Sequence, residues 1–252
     1  MRLKGKVAIV TGASRGLGHD FALDFAKEGA HVVVAARTES EGKLPGTIFK
    51  TADEIRALGA QALPIRCDVT SEESVNEMVQ KALKEFSRID ILVNNAAVAW
   101  WPPVTETPLK RFELVLRVNV IGPFLCVKAV LPTMINQKCG SIINVSSYAA
   151  NKRVRGFSGI SYGVSKAALE RFTWGLAAEL GQYNIAVNAI KPLKVIGTEG
   201  ILAQAKPDVN KSDWQSSELM VKACTFMAAQ DASGVTGIVA SDDEFCQWHG
   251  LI

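Results

Sequence analysis

The sequence predicts an α/β protein built on one doubly wound, parallel sheet. Short apolar segments alternate with amphipathic segments along all 252 residues, and most of the apolar segments lack alternating polar positions. A strand that is apolar on both faces is typical of a parallel sheet covered by helices on both sides. Because α/β folds reach about 250 residues as one unit, and no linker or repeat divides the chain, we expect a single domain over residues 1–252.

Seven apolar segments predict the strands. The first, residues 6–11, runs directly into a glycine-rich turn, and the second, residues 31–36, is rich in valine, which favours strands. The other five strands are expected, in order, at residues 62–67, 89–95, 141–146, 186–190 and 237–240.

The segments between the strands have helical periodicity. Residues 16–28 carry apolar side chains three and four positions apart and stop before Gly29. Residues 71–86 open with Ser71, a residue type favoured at helix N-termini. The other helices are expected at residues 52–59, 108–136, 161–181 and 214–229.

Two connections are longer than the fold requires. Residues 38–50 form a polar excursion after the second strand, and residues 191–213 follow the sixth strand. Loops of this length usually carry function or are disordered. We expect residues 191–213 to form a substrate lid, with Ile201 and Leu202 as its apolar part.

The composition excludes several classes of protein. The 28 Lys+Arg and 25 Asp+Glu residues are dispersed and give a net charge of only +3, too little for a nucleic-acid surface. No uninterrupted apolar run approaches the roughly 18 residues of a membrane helix, and the N-terminal apolar run is too short for a secretory signal. The five cysteines and three histidines lack metal-ligand spacing. We therefore expect a cytoplasmic protein with no metal, no membrane and no nucleic-acid partner.

A glycine-rich turn between the first strand and first helix predicts a dinucleotide site. In the segment TGASRGLG (11–18), Gly12 permits a tight turn, Gly16 lets the backbone approach a diphosphate, and Gly18 lets helix and strand pack closely. The helix N-terminus adds unpaired N–H groups and a partial positive charge.

The end of the second strand indicates which dinucleotide binds. Enzymes that use NAD usually carry an acidic residue there, but this chain has Ala36 followed by Arg37. Arg37 and Arg15 could both bind a ribose 2′-phosphate through charge-assisted hydrogen bonds. The sequence therefore favours NADP(H), unless Arg37 is only a solvated loop residue.

Tyr162 and Lys166 are candidates for proton transfer. They stand four residues apart on a predicted helix, and so lie on one face. An adjacent ammonium lowers the pKa of a tyrosine from about 10 towards the useful range. Ser147 follows the fifth strand, at the same edge of the sheet, where its hydroxyl could donate to a substrate oxygen.

Together these segments resemble the short-chain dehydrogenase/reductase family over essentially the whole chain. The matching segments keep the family's order and approximate spacing: TGASRGLG, NNAA (94–97), Asn119 within RVNVIG, NVSS (144–147), YGVSK (162–166) and VNAIKP (187–192). The resemblance implies a Rossmann-like sheet of seven strands and NAD(P)(H)-dependent interconversion of alcohols and carbonyl compounds.

The resemblance also implies a role for each catalytic residue. Tyr162 would protonate the carbonyl oxygen, and Lys166 would bond the nicotinamide ribose and lower the tyrosine pKa. Ser147 would hold the substrate oxygen. Asn119 would position a water in a proton relay with Lys166.

In the family, Asp68 corresponds to a residue beside the adenine, Asn95 to one near the adenosine ribose, and Thr198 to one that contacts the nicotinamide half. The expected cofactor contacts are Gly12, Ser14, Arg15, Gly16, Leu17, Gly18, Arg37, Asp68, Val69, Asn95, Ala96, Tyr162, Lys166, Pro192, Val195 and Thr198.

The chain departs from the family pattern in several places. Pro192 is followed by Leu193 where the family usually has glycine, so a β-carbon restricts that turn. The interval from Ser147 to Tyr162 is longer than usual, and the C-terminus lacks the usual Asp-Gly-Gly. Residues 44–48 resemble the branch that includes hydroxysteroid dehydrogenase-like proteins.

Trp100 and Trp101 follow the fourth strand, where the family places one wall of the substrate pocket. Together with Phe157 they suit an apolar or aromatic ketone. The two tryptophans are equally compatible with packing a subunit or loop contact. No convergent basic cluster indicates a phosphate, coenzyme A or acyl-carrier substrate.

Two other functions remain open. One is a non-catalytic, dinucleotide-binding regulator on the same fold, against which the Tyr162–Lys166 pair argues. The other is an enoyl reductase, in which the tyrosine and lysine stand further apart than here. The broadly apolar helices at 108–136 and 161–181 predict a homo-oligomer, a tetramer by resemblance to the family.

Overall fold

A single sheet of seven parallel strands forms the centre of the protein. The computed structural model describes residues 1–151, 159–205 and 209–252. The strand order is β3-β2-β1-β4-β5-β6-β7, a Rossmann-like α/β arrangement that confirms the predicted fold class. The strands are β1 Val7–Thr11, β2 His31–Ala36, β3 Ala62–Arg66, β4 Ile91–Asn94, β5 Gly140–Val145, β6 Ile185–Lys191 and β7 Val239–Ser241.

Helices cover both faces of this sheet. They are α1 Gly16–Lys27, α2 Ile48–Ala57, α3 Glu72–Phe86, α4 Leu109–Leu116, α5 Gly122–Gln137, α6 Ile160–Leu180, α7 Glu199–Leu202, α8 Glu218–Ala228 and α9 Asp242–Trp248. One core holds side chains of α1, α2, α8 and α9, and the other holds side chains of α3, α5 and α6.

The strands supply both cores in turn. In β1, Ala8 and Val10 point into the first core and Ile9 points into the second. Successive side chains of a strand point to opposite faces. A strand between two cores therefore has no position left for a polar residue, which explains the continuous apolar runs.

The predicted helix at 108–136 is interrupted. Residues Arg117–Ile121 form a π-helical turn between α4 and α5, and Asn119 lies within it. Pro123, near the start of α5, has no N–H to donate to the carbonyl of Asn119 four residues earlier. The regular 3.6-residue pattern fails at this point, and π-helical turns are often found at functional sites.

Other boundaries also differ from expectation. The end of the 38–50 excursion is helical, because Thr47 caps α2 by accepting a hydrogen bond from the N–H of Lys50 at 3.0 Å. Sequence reasoning missed α7 and α9. The missed signal for α9 is a capping box formed by Ser241 and Glu244.

The stretch Leu109–Gln137 is, by length and composition, apolar enough to cross a membrane, and 44% of its most apolar part is buried inside the protein. Core helices meet the same criterion. Here Cys126, Val130 and Met134 are buried in the core of α3, α5 and α6.

Candidate active site

A cleft of about 890 Å³ opens at the carboxyl ends of the strands. All strands are parallel, so these ends meet at one edge of the sheet. The predicted site residues that line the cleft are Gly12, Ser14, Arg15, Gly16, Leu17, Arg37, Asp68, Val69, Asn95, Ala96, Trp100, Trp101, Ser147, Tyr162, Lys166, Pro192, Val195 and Thr198. Gly18 and Asn119 are not among the residues that line the cleft, and Phe157 lies outside the described residues.

The glycine-rich turn depends on its missing side chains. Gly12 has φ +67° and Gly16 has φ +57°, in the left-handed region that favours glycine. A Cβ on Gly12 would lie 2.9 Å from the Cα of Ala96, and one on Gly18 would collide with the carbonyl oxygen of Gly12. The turn therefore packs directly against the chain after β4, and α1 begins at the cleft.

Asn95 holds this turn in place. Its Nδ2 donates to the carbonyl oxygens of Thr11 at 2.9 Å and Gly12 at 3.3 Å. The hydroxyl of Thr11 in turn accepts from the backbone N–H of Asn95 at 3.0 Å and of Ala96 at 3.1 Å. The amide nitrogen of Asn95 is therefore occupied by the backbone of the turn, and the expected contact of this residue near the adenosine ribose stays a prediction.

At the far end of the cleft, the two arginines have different roles. The guanidinium of Arg15 donates to the carbonyl oxygens of Pro45 at 2.8 Å and Gly46 at 3.0 Å, and so fastens the excursion to the glycine-rich turn. Arg15 and Arg37 both line the cleft, and their convergence on one phosphate stays a prediction. Arg37 is exposed at the end of β2.

Asp68 lies in the cleft after β3. Partial burial opposes its ionisation, but hydrogen bonds from the backbone and hydroxyl of Thr70, with the charges of Arg37 and Arg66, outweigh burial and lower the pKa of this carboxyl. The carboxylate is therefore ionised at neutral pH, and its charge lies within reach of Arg37.

The catalytic candidates meet on the floor of the cleft. Ser147 and Tyr162 both line the cleft, and Ser147 is close enough to the phenol to lower its pKa. Lys166 donates from Nζ to the carbonyl oxygen of Val145 at 2.7 Å, and its Nζ lies 5.6 Å from the centre of the tyrosine ring. The end of β5 thus contacts one face of α6. Ser147, Tyr162 and Lys166, which are separated in the sequence, lie together in the cleft.

The pKa values of this pair do not shift as expected. Burial raises the pKa of Tyr162 to about 12, although Ser147 opposes the rise. Burial also lowers the pKa of Lys166 to about 8, partly offset by the negative charge of Glu170. The predicted lowering of the tyrosine pKa is therefore not found in this structure, because desolvation has the largest effect and Ser147 only partly opposes it.

Asn119 is a structural clamp. Its amide accepts from the N–H of Val98 and donates to the carbonyl of Val98, both at 2.9 Å, and it also donates to the hydroxyl of Ser165 at 3.0 Å. The side chain thereby joins the π-helical turn to α6 and to the chain after β4.

Trp101 forms a wall beside the phenol. Its ring lies 5.2 Å from that of Tyr162 at an angle of 58°, and its Nε1 donates to the side chain of Gln204 at 3.1 Å. The ring of Trp100 lies under the guanidinium of Arg111, with the Cζ atom 4.9 Å from the ring centre. The tryptophan pair therefore bounds the cleft beside the catalytic residues.

The profile described as short chain dehydrogenase matches residues 6–204 of this chain. The chain belongs to the short-chain dehydrogenase/reductase family. It is 35% identical to hydroxysteroid dehydrogenase-like protein 2 of Homo sapiens and of Pongo abelii. Each alignment extends over 251 residues and covers 99% of this chain. The chain spans 59% of the length of each of these relatives.

Solved structures of short-chain dehydrogenase/reductases have the same fold. One from Mycobacterium marinum gives a TM-score of 0.85 at 33% identity, over 95% of this chain and 94% of that chain. A 7α-hydroxysteroid dehydrogenase was solved with NADH and 7-oxo glycochenodeoxycholic acid. It gives a TM-score of 0.86 at 30% identity, over 95% of this chain and 93% of that chain.

The departure from the family at Leu193 is accommodated without backbone strain. Among the described residues, the only ones other than glycine with positive φ are Ser87, Lys138 and Asn184, so Leu193 avoids the left-handed region. Its N–H donates to the carboxyl of Asp242, at the start of α9, at 2.8 Å. The C-terminal helix thus supports the segment that leads from β6 into the cleft.

Sequence reasoning missed part of the cleft wall. The missed residues include Arg111, Leu114, Val118, Gln204 and Trp214. Arg111, Leu114 and Val118 could have been found from the helical periodicity of the sequence, because they are spaced three and four residues apart after the tryptophans. No such pattern marks Trp214, which lines the cleft and packs against Gly197.

Proposed function

We propose that this oxidoreductase uses NADP(H) to interconvert a ketone or aldehyde with the corresponding alcohol, and that its substrate is apolar or aromatic. The observation that carries the proposal is that the hydroxyl groups of Ser147 and Tyr162 line one cleft between the glycine-rich turn and Trp101, with Nζ of Lys166 5.6 Å from the centre of the tyrosine ring. A dinucleotide-binding regulator needs no such pair of hydroxyl groups.

The residues at the turn fit a dinucleotide. Gly12, Gly16 and Gly18 form a cradle that side chains would fill, at the N-terminus of α1, where anionic groups are stabilised. Asp68 and Val69 would lie on the adenosine side and Thr198 on the nicotinamide side. The nicotinamide supplies or accepts the hydride when it is bound.

The protein's own residues would move the proton. In reduction, the phenol of Tyr162 donates its proton to the carbonyl oxygen, which the hydroxyl of Ser147 holds in place. Lys166 remains oriented by Val145 and presents its other N–H groups to the cofactor ribose. A proton relay through a water positioned by Asn119 and Lys166 would restore the proton of the phenol.

The preference for NADP(H) is supported by the exposed Arg37 and by the absence of a carboxylate at Ala36. The apolar substrate is supported by Trp101, whose ring contacts that of Tyr162. The names of the related hydroxysteroid dehydrogenase-like proteins make an oxosteroid a reasonable first probe.

Absorbance of the nicotinamide tests the proposal. Purified protein is mixed with NADPH and, in turn, an aliphatic ketone, an aromatic ketone, an oxosteroid and an α,β-unsaturated carbonyl compound. We expect oxidation of NADPH with an apolar ketone and an alcohol as product. A saturated ketone formed from the unsaturated probe would indicate an enoyl reductase. Tight binding of NADPH with no turnover of any probe, or of the matching alcohols with NADP, would indicate a regulator.

A further inference from the structure

A run of three residues at the end of β5 holds three residues of α6. Ser147 lies near the phenol of Tyr162 and lowers its pKa, and Val145 accepts from Lys166 at 2.7 Å. The residue between them, Ser146, donates from its hydroxyl to the carboxyl of Glu170 at 2.7 Å. Tyr162, Lys166 and Glu170 are spaced by four, so they occupy one face of the helix.

Glu170 has a second, charged partner outside the helix. The same carboxyl oxygen accepts from Nζ of Lys191 at 2.9 Å, and the two side chains are only 7% and 10% exposed. Lys191 is the last residue of β6, directly before Pro192 in the cleft wall. A buried ion pair is costly to desolvate and contributes little net stability, but loss of one partner leaves an uncompensated charge.

We infer that Glu170 and Lys191 are positioning residues, which together keep the ammonium of Lys166 turned to Val145 and available beside Tyr162. Lys191 neutralises Glu170. Without Lys191, the carboxylate would lie one helical turn from Lys166 and would attract that ammonium away from the phenol. Without Glu170, Lys191 would be left with an uncompensated buried charge. This inference rests on the proposed function of Tyr162 and Lys166.

The charged and titratable groups around Lys166 are few in the part of the chain that the structure describes. Tyr162 and Glu170 lie on its own helix, Lys191 is contributed by β6, and Tyr148 approaches the phenol from the turn after β5. The pH dependence of Lys166 should therefore respond to Glu170 and Lys191 with opposite signs.

The experiment measures kcat for ketone reduction against pH in Glu170→Gln, Lys191→Met and the double variant. Reduction needs charged Lys166, so kcat falls as pH rises through its pKa. We expect the midpoint of this fall to move down in pH in Glu170→Gln and up in Lys191→Met, and to return near the wild-type value in the double variant. In Lys191→Met, kcat should fall at least tenfold while KM changes less. Lys191→Gln, which keeps a donor to Glu170 but no charge, replaces Lys191→Met if that variant does not fold.

Controls separate this role from general stability. Glu218→Gln and Lys222→Met remove an exposed pair on α8 at 2.8 Å, and should leave the midpoint unchanged. Midpoints that stay at the wild-type pH in both single variants of the buried pair, or that move in the same direction, would overturn the inference.

A second readout needs no turnover. The pKa of Lys166 in the folded protein, about 8, lies below its unfolded value, so unfolded chains bind more protons above pH 8 and stability rises with pH there. In urea unfolding followed by tryptophan fluorescence, this rise should begin at lower pH in Glu170→Gln and at higher pH in Lys191→Met. If these curves move as expected but the wild type reduces no carbonyl compound, the proposed function is wrong, while the effect of Glu170 and Lys191 on Lys166 is confirmed.

Discussion

At the residue scale, burial has the largest effect on the pKa values of both Tyr162 and Lys166. The phenol keeps its proton, with a pKa of about 12, and the lysine loses its charge more readily, with a pKa of about 8. A protonated phenol at neutral pH is ready to donate.

Tyr162→Phe should abolish carbonyl reduction while NADPH still binds. The substitution removes the proton donor but keeps the ring beside Trp101. The loss should fall on kcat and reach about 10²-fold or more, the contribution of a general acid. Steady-state kinetics and NADPH binding by fluorescence would measure both effects. Retention of more than about a tenth of wild-type kcat would contradict the assignment.

Alcohol oxidation should become faster as pH rises from 6 to 8. Oxidation needs the phenolate of Tyr162, and below a pKa of about 12 the phenolate fraction grows with pH, while Lys166 stays charged up to about pH 8. Ketone reduction should not rise over the same range. Rates with saturating NADP and alcohol at each pH would show this, and a flat oxidation profile would rule out the tyrosine as the base.

Arg37→Ala should lower the preference for NADPH over NADH by about tenfold or more in kcat/KM, equivalent to about 1.4 kcal/mol. The guanidinium is exposed at the end of β2, where a 2′-phosphate would lie. Arg66→Ala is a matched control, since Arg66 is an exposed arginine near Asp68 that pairs with Glu39 at 3.5 Å. An unchanged cofactor ratio in Arg37→Ala, or equal losses in both variants, would remove Arg37 from the cofactor site.

At the element scale, the interruption between α4 and α5 connects the helix to the site. In a single regular α-helix, Asn119 would follow the same 3.6-residue periodicity as its neighbours. The π-helical turn instead lets its side chain bond Val98 and Ser165 simultaneously. The junction thus fastens the floor of the cleft to the wall that carries the tryptophans.

Asn119→Ala should lower the free energy of unfolding by about 1–3 kcal/mol, because buried partners of its amide lose their hydrogen bonds. Ser165→Ala, which removes only one of those bonds, should cost less. Urea unfolding would measure both. If Asn119→Ala lost activity with no loss of stability, its side chain would act in the reaction rather than as a clamp.

At the scale of the whole molecule, the helices next to the cleft leave apolar side chains exposed. On α5 and the preceding turn, Phe124 is 47% and Ile121 38% exposed, and on α6, Trp174 is 47% and Val164 43% exposed. The rings of Phe124 and Phe172 lie 6.4 Å apart across the two helices. Patches of this kind usually mark interaction surfaces.

We therefore predict a homo-oligomer that pairs through α5 and α6. Light scattering at micromolar concentration should give a multiple of the 27.1 kDa chain mass. Phe124→Glu should dissociate it, because the substitution places a charge in a desolvated interface. Leu58→Glu, at an equally exposed apolar position beyond α2, should not. A monomeric mass for the wild type would contradict the prediction.

The sequence by itself determined the alternation of strands and helices, the glycine-rich turn and the spacing of Tyr162 and Lys166, because periodicity, glycine conformation and helix geometry act within a few residues. Only the tertiary structure decided which groups Asn95, Arg15 and Asn119 bind, the direction of the pKa shifts, and the pairing of Glu170 with Lys191. Those properties depend on desolvation and on partners distant along the chain, and no local pattern records either of them.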